Sequence, residues 1–373
     1  MNLKMKKNMK ALSNYKILLV SACLALGFPL AAQTYQNSRS VREAYRIAPN
    51  AEIQVINKYG DIHMIPWEKD SVVFEIDMTV TSNKQSKVDK IFDYIDFDFK
   101  STAYYVICQT VFENQDNIWS EMADVASTIF SSGTSTQIDY TVYFPAGNDV
   151  RIENKFGNIY TTDHIGKVDI TLSNGDMKAH SFNGPTRLNV EFGNVSVNKI
   201  INGSISLGYA ELNLEEAGEI SFESRSSKIY VTEADKLHLN SKRDRFYVTA
   251  AGEVTGETFF SYLNLDKIYS RINLKTNYGE VKVLGISEDF SRMDFSSQYT
   301  DINIYLDDDH YYEFDITRDD KSEVASSVTL ISKKEEPVAG VEKTYRSSIT
   351  AGKTDKPAVT VAISIKGGKI YIL

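Results

Sequence analysis

Asn189-Val190-Glu191-Phe192-Gly193-Asn194-Val195-Ser196-Val197 places a tight aromatic-glycine turn between two segments in which apolar and polar residues alternate. Outward from Val195, an apolar residue follows a turn of the same kind at Ile159, Met177, Leu212, Ile229, Phe246, Leu263, Val281 and Ile302. The steps are 17 or 18 residues, with a last step of 21. A fixed period of this length marks a repeat architecture, in which each unit buries its apolar edge only against its neighbours.

The register holds position by position. Seven and nine residues before the markers stand pairs such as Ile152 with Val150, Ile170 with Val168, Leu239 with Leu237, Leu274 with Ile272 and Phe295 with Met293. Two residues after them come Val197, Leu214, Val231, Val248, Leu265, Val283 and Ile304. The interleaved positions are polar, among them Glu153, Thr171, Asn189 and Glu223 before the turn and Lys178, Ser196 and Asn213 after it. Period-two alternation predicts two short strands per repeat, since a helix needs apolar spacings of three and four sustained over about ten residues. The turn carries a small residue two before the marker at Gly157, Gly175, Gly193, Ala210, Ser227, Ser261, Gly279 and Thr300, with Asp244 the bulkier exception. Glycine there is expected to supply positive φ and close stacking.

The expected fold class is therefore all-β: a parallel β-solenoid of about 17–18-residue coils, with a mixed α+β N-terminal insertion or cap. The same signature recurs at Tyr59-Gly60-Asp61-Ile62 and at Gly367-Gly368-Lys369-Ile370. Eleven coils at a strand spacing of about 4.8 Å would make a rod roughly 50 Å long. Residues 70–148 break the period: Val72 to Val80 and Ile138 to Phe144 read as strands. Val88, Ile91, Phe92 and Ile95 have helical spacing behind the cap candidate Ser86, and Trp119, Met122, Val125, Ala126 and Ile129 suggest a second helix. The division that follows is 1–32 export signal, 33–148 first coil and α+β cap, 149–306 repeat array, and 307–373 C-terminal cap with a last coil.

Lys4, Lys6, Lys7, Lys10 and Lys16 precede an apolar stretch, Ile17 to Ala32, that is short for a membrane span and ends in small residues; this predicts an export signal cleaved near Ala32. Val20-Ser21-Ala22-Cys23 also has the form of a lipobox, and lipidation at Cys23 is the single membrane attachment the sequence offers. Losing five lysines and no acid would take the formal charge from −9 to −14. Such a chain repels nucleic acid. Cys108 is expected to be a small buried hydrophobe.

Catalytic signatures are missing from the sequence, and the expectation is a non-enzymatic protein with no catalytic residue, no metal and no cofactor. His63, His164, His180, His238 and His310 are scattered without ligand spacing, and neither HExxH nor GxSxG occurs. Asp307-Asp308-Asp309 lacks the spaced ligands of calcium loops and reads as a solvated acidic loop. The outward row Arg151, Asp169 and Arg187 is the nearest thing to the charged face of a polysaccharide-active β-helix enzyme, and it also suits an ordinary exposed strand face. Binding fits better. Aromatic residues stand just before the turn residue at Tyr59, Phe156, Phe192, Tyr209, Phe260, Tyr278 and Tyr299, where stacking between coils is the expected role. Tyr160, Tyr230 and Tyr247 share the outward face of the second strand and are the candidate ligand-binding residues.

Asn154-Lys155-Phe156-Gly157-Asn158-Ile159, its echo from Asn57 to Ile62, the repeats and the closing Gly-Gly-Lys-Ile-Tyr-Ile together resemble the bacterial β-strand-repeat "putative adhesin" family of Bacteroidetes-type envelopes, a domain of unknown function. The resemblance implies the architecture and carries over no catalytic residue. Together with the export signal it implies an exported protein of the periplasm, outer-membrane surface or extracellular space that presents a long binding surface to surface glycan or envelope protein. A periplasmic scaffold or sensory partner of a membrane protein is the alternative. Ser226-Ser227-Lys228 and Arg243-Asp244-Arg245 depart from the glycine turn and mark a local patch.

Overall fold

The computed structural model describes residues 34–112 and 133–373; the segments expected to form the export signal with its Cys23 lipobox and the Trp119 helix lie outside them. The described residues form one large mixed sheet of 22 strands with a single helix, and the fold is all-β. No helix among them is long and apolar enough to cross a membrane.

At the N-terminal end, β1 (Tyr35–Arg46), β2 (Glu52–Lys58), β3 (Ile62–Trp67) and β4 (Ser71–Ser82) precede α1 (Gln85–Tyr94), β5 (Ile95–Ser101), β6 (Tyr105–Phe112) and β7 (Thr134–Pro145). The expected helix is present and buries Val88 and Ile91, but Lys84 occupies its N-cap without a side-chain cap bond, so Ser86 lies in the first turn rather than ahead of it. β1 pairs antiparallel with β4, β4 with β7, and β5 with β6. They shield the end of the parallel ladders, where open strand edges would otherwise template aggregation.

Beyond β8 (Val150–Lys155), β9 (Ile159–Thr161) and β10 (Val168–Ser173), the long strands β11 (Met177–Glu191), β12 (Asn194–Gly208), β13 (Glu211–Arg225) and β14 (Lys228–Lys242) each join the second segment of one repeat to the first segment of the next, and β15 (Arg245–Val283) continues through two further corners, at Phe260 and Tyr278. Val150 lies beside Val168, Val195 beside Leu212, and Ile229 beside Phe246, all in parallel register. β2 and β3 join the same ladders, with Ile53 beside Val150 and Ile62 beside Ile159. Repeats of 18 residues accommodate their extra residue away from the turn: the β11–β12 register shifts between Phe182 and Pro185.

A third inward row, five residues after the marker, completes each unit: Phe182, Ile200, Ala217, Ala234, Ala251 and Ile268 are all buried. His164 stands in that row next to Phe182 and is 1% exposed.

The C-terminal end breaks chain order. β16 (Arg292–Ile304) stacks on β15, as Val281 beside Ile302 shows. The next layer comes from the end of the chain. After β17 (Tyr311–Asp319), β18 (Ser322–Ser326), β19 (Leu330–Pro337) and β20 (Thr344–Gly352), the chain returns as β21 (Ala358–Lys366) and β22 (Gly368–Ile372), which pair with β16 on one side and with β17 and β18 on the other. Antiparallel β20 and β19 finish this end. Cys108 is fully buried in β6, and burial pushes its thiol pKa up, which suits a packing role.

Candidate binding surface

The turn corner is where successive repeats approach most closely. A Cβ added at Gly175 would lie 2.0 Å from the Gly157 carbonyl oxygen, and one at Gly193 would lie 1.9 Å from that of Gly175. Close backbone approach is therefore what demands glycine at these corners. The expectation of positive φ there holds at Gly279, at 138°, but not at Gly157, Gly175 or Gly193: the left-handed conformation falls one residue earlier, at Phe156, Phe192, Tyr209, Ser226, Arg243, Phe260, Tyr278 and Tyr299, with φ between 51° and 61°. Each corner amide is satisfied by the adjacent repeat, as in Phe192 N donating to Gly208 O, Tyr209 N to Arg225 O and Arg243 N to Phe259 O.

This geometry turns the aromatic side chains outward in a ridge. Phe192 and Tyr209 stack with centroids 5.2 Å apart, Phe260 and Tyr278 at 4.7 Å, and Tyr278 and Tyr299 at 4.9 Å. The rings stack between repeats as expected, yet remain about half exposed, with Phe192 at 53% and Tyr209 and Phe260 both at 54%. Stacking and availability to a ligand are compatible here. Only the ring edges and the ends of each stack remain to be covered.

Between Tyr209 and Phe260 the ridge is interrupted by Ser226 and Arg243. Below the interruption lies a buried polar network centred on Asp244, which is 2% exposed. Its carboxylate accepts hydrogen bonds from Ser224 Oγ at 2.7 Å, Ser241 Oγ at 2.7 Å, Ser227 N at 2.7 Å and Lys242 N at 2.9 Å. Burial raises its pKa, and these donors counter the rise in part. The sequence holds a signal for this change that period counting overlooked. Five residues before the marker, Leu172, Val190 and Leu207 give way to Ser224, Ser241, Thr258, Thr276 and Ser297. Hydroxyls in that row partner the side chains that replace glycine at the corner, as Ser241 Oγ does with Ser261 Oγ at 2.8 Å.

At the surface, the interruption opens into a depression of about 680 Å³ lined in part by Tyr209, Glu211, Lys228, Arg243 and Arg245. Lys228 is 3.9 Å from Glu211, and its ammonium lies 4.7 Å from the centroid of the Tyr230 ring. Arg225 pairs with Glu191 at 2.6 Å and sits over the Tyr209 ring. Arg243 and Arg245 have no ion pair among the described residues.

The tyrosines singled out from sequence fall into two places. Tyr230 and Tyr247 stack at 5.1 Å, and Tyr262 adds a tilted ring 5.8 Å from Tyr247. Tyr160 stacks instead on His63 at 4.8 Å, and Lys178, Ser196 and Asn213 separate it from Tyr230 along the ladder. All three are half-buried. Tyr230 and Tyr247 can act together, whereas Tyr160 belongs to a different patch of the same face.

The outward row Arg151, Asp169 and Arg187 is engaged in surface ion pairs, Arg187 with Asp169 at 3.6 Å and Arg151 with Glu153 at 2.8 Å. Asp308 lies 3.7 Å from Lys353, and Asp309 lies 3.9 Å from Lys356. Among the described residues no group of three or more His, Cys, Asp or Glu is placed to hold a metal ion.

No protein-family model and no curated protein matches the chain. Solved structures similar to it include a "putative cell adhesion protein" from Clostridium sporogenes, 10% identical over 90% of this chain and 99% of that one, with a TM-score of 0.16. A "putative lipid binding protein" from Parabacteroides distasonis is 12% identical over 72% of this chain and 96% of that one, with a TM-score of 0.34. A "putative adhesin" from the same organism is 11% identical over 71% and 97%, with a TM-score of 0.31. The adhesin resemblance read from the sequence is thus met again among the names of solved structures.

Proposed function

We propose that this chain is an exported, non-enzymatic β-solenoid that presents an extended binding surface to surface glycan or envelope protein, in the periplasm, at the outer-membrane surface or outside the cell. The solenoid reading is supported by parallel ladders in which marker, preceding pair and following row each align with the next repeat. The binding reading rests on one observation: half-exposed aromatic rings are held in stacks along a corner whose spacing the backbone fixes. Rings held in place before a ligand arrives lose little conformational freedom on binding, which favours flat apolar faces such as those of sugars. The lysine-rich start and apolar run of residues 1–32 support export, and 33–148, 149–306 and 307–373 remain the proposed divisions of the rest.

Binding of the full chain to a glycan array and to cell-envelope extracts tests this reading. Two variants probe the two faces: Phe192→Ser with Tyr278→Ser on the ridge, and Tyr160→Ser with Tyr230→Ser and Tyr247→Ser on the strand face. Loss of binding in either, with the fold retained by circular dichroism, is the expected result. Binding untouched in both would remove the aromatic surfaces from the account.

A further inference from the structure

We propose that the interruption of the aromatic ridge at Ser226 and Arg243 is a binding site for an acidic oligosaccharide, whose carboxylate or sulfate is held by Arg243 and Arg245. This inference rests on the binding-surface reading and names the ligand class at one place on it. The first support is the unused guanidinium pair. Arg225 is engaged with Glu191 and Lys228 with Glu211, while Arg243 and Arg245, both lining the depression, are exposed and without an ion pair among the described residues. A guanidinium presents a planar fork of donors that matches the two oxygens of a carboxylate or sulfate. On a chain of formal charge −9, a local cluster of Lys228, Arg243 and Arg245 is a marked reversal of sign.

The second support is shape. Tyr209 and Phe260 bracket the interruption, three ladder steps or about 14 Å apart. Phe260 stacks on Tyr278, and its opposite face, toward Arg243, carries no ring or cation among the described residues. It offers a platform for a sugar ring beside the charged groups. The Asp244 network beneath fixes the corner, since Asp244 N donates to Ser261 Oγ at 3.2 Å and its carboxylate is occupied by four inward donors. That carboxylate therefore faces the core and does not compete for the arginines. Glu211 and Asp176 line the far side of the depression, so an anionic group is steered to the Arg243 end. Nucleic acid is disfavoured by the overall negative charge, and a neutral glycan would leave both guanidiniums without a role.

Calorimetric titration of the full chain with hexagalacturonate, with its methyl ester, with a heparin-derived hexasaccharide and with neutral maltohexaose tests the proposal. Hexagalacturonate or the heparin hexasaccharide should bind at least tenfold more tightly than the methyl ester and maltohexaose, and preference between the two acidic probes identifies carboxylate or sulfate. Arg243→Gln with Arg245→Gln should reduce that binding at least tenfold and flatten its salt dependence. Arg243→Lys with Arg245→Lys should retain part of it, and Lys333→Gln, on distant β19, should leave it unchanged. Equal binding of acidic and neutral probes, or acidic binding indifferent to the double glutamine variant, would overturn the proposal while leaving the wider binding surface intact. Failure of every saccharide and of envelope extract to bind the unaltered chain would overturn both.

Discussion

The repeats around Gly157, Gly175 and Gly193 and those around Ser227, Asp244 and Ser261 build the same corner by different means. In the first group the backbones approach so closely that no side chain fits, and apolar Leu172 and Val190 lie beneath. In the second group, side chains occupy the corner: Asp244 and Ser261 are met by hydroxyls placed five residues before the marker, and Ser227 by the Arg225 carbonyl and the Ala210 amide. The parallel ladder passes from one group to the other without a break, since Val195, Leu212, Ile229 and Phe246 remain in register. Backbone pairing and the inward rows therefore set the architecture. The corner is free to vary in chemistry, and within the second group the ridge residue changes too, to Ser226 and Arg243, before Phe260 restores the aromatic row.

The largest effect that should separate the two groups is Gly175→Val. Its Cβ would lie 2.0 Å from a backbone oxygen, which cannot swing aside, so a loss of about 3 kcal/mol is expected in denaturant unfolding. Ser227→Ala fits the existing corner and should cost about 1.5 kcal/mol, through loss of the hydroxyl bond to the Arg225 carbonyl and of the acceptor for the Ala210 amide. Equal losses from the two would erase the distinction. Asp244→Ala leaves Ser224, Ser241, Ser227 N and Lys242 N facing a void, and should lower stability by about 2 kcal/mol. A neutral result would show that water replaces the carboxylate.

His164 sharpens the comparison on the glycine side, because it interrupts an otherwise apolar row. Neither ring nitrogen has a partner at hydrogen-bonding distance, and Phe144 packs against the ring. Burial depresses its pKa to about 4, with the backbone near Lys167 and Asn148 offsetting only part of that. The unfolded chain therefore binds a proton below pH 6.5 that the folded chain does not accept until about pH 4, and stability falls as pH drops through this window. His164→Leu should be nearly neutral at pH 7.5 and stabilising by about 2 kcal/mol at pH 4.5 relative to the unaltered protein. Parallel pH profiles of the two melting temperatures would contradict the assignment. Smallest of all, Tyr278→Ala removes two ring stacks from the exposed ridge and should cost about 1 kcal/mol, measured by thermal melting.

Much of this fold could be read from the chain because each repeat restates the same positions. The marker row and its flanking pairs use large apolar residues that stand out at every period. The row five residues after the marker escaped notice, since Ala217, Ala234 and Ala251 do not look like core until the repeats are stacked. The close packing of the corner is legible in its glycines, whereas the left-handed residue ahead of them is not: a tyrosine or phenylalanine in that region has no sequence signature beyond its place before the corner. At the C-terminal end, the insertion of β21 and β22 between β16 and β17 depends on which ladder edge offers the better match. Sequence neighbours cannot reveal that choice. Of the candidate tyrosines, Tyr230 and Tyr247 meet as the period implies, while the distance to Tyr160 follows from counting the three residues between them on the ladder.

Spin labels at Arg151→Cys and His238→Cys report most directly on the stacking from which all else follows. Both positions face outward, and the ladder links them through Asp169, Arg187, Ser204 and Ser221, five steps in all. Cys108 is buried and should remain unlabelled, and Cys23 is replaced by serine so that the two introduced cysteines carry the labels. Double electron-electron resonance should give one distribution centred near 24 Å, the length of five ladder spacings. A centre below about 15 Å or beyond about 35 Å, or two separate populations, would contradict repeats stacked one upon the next in register.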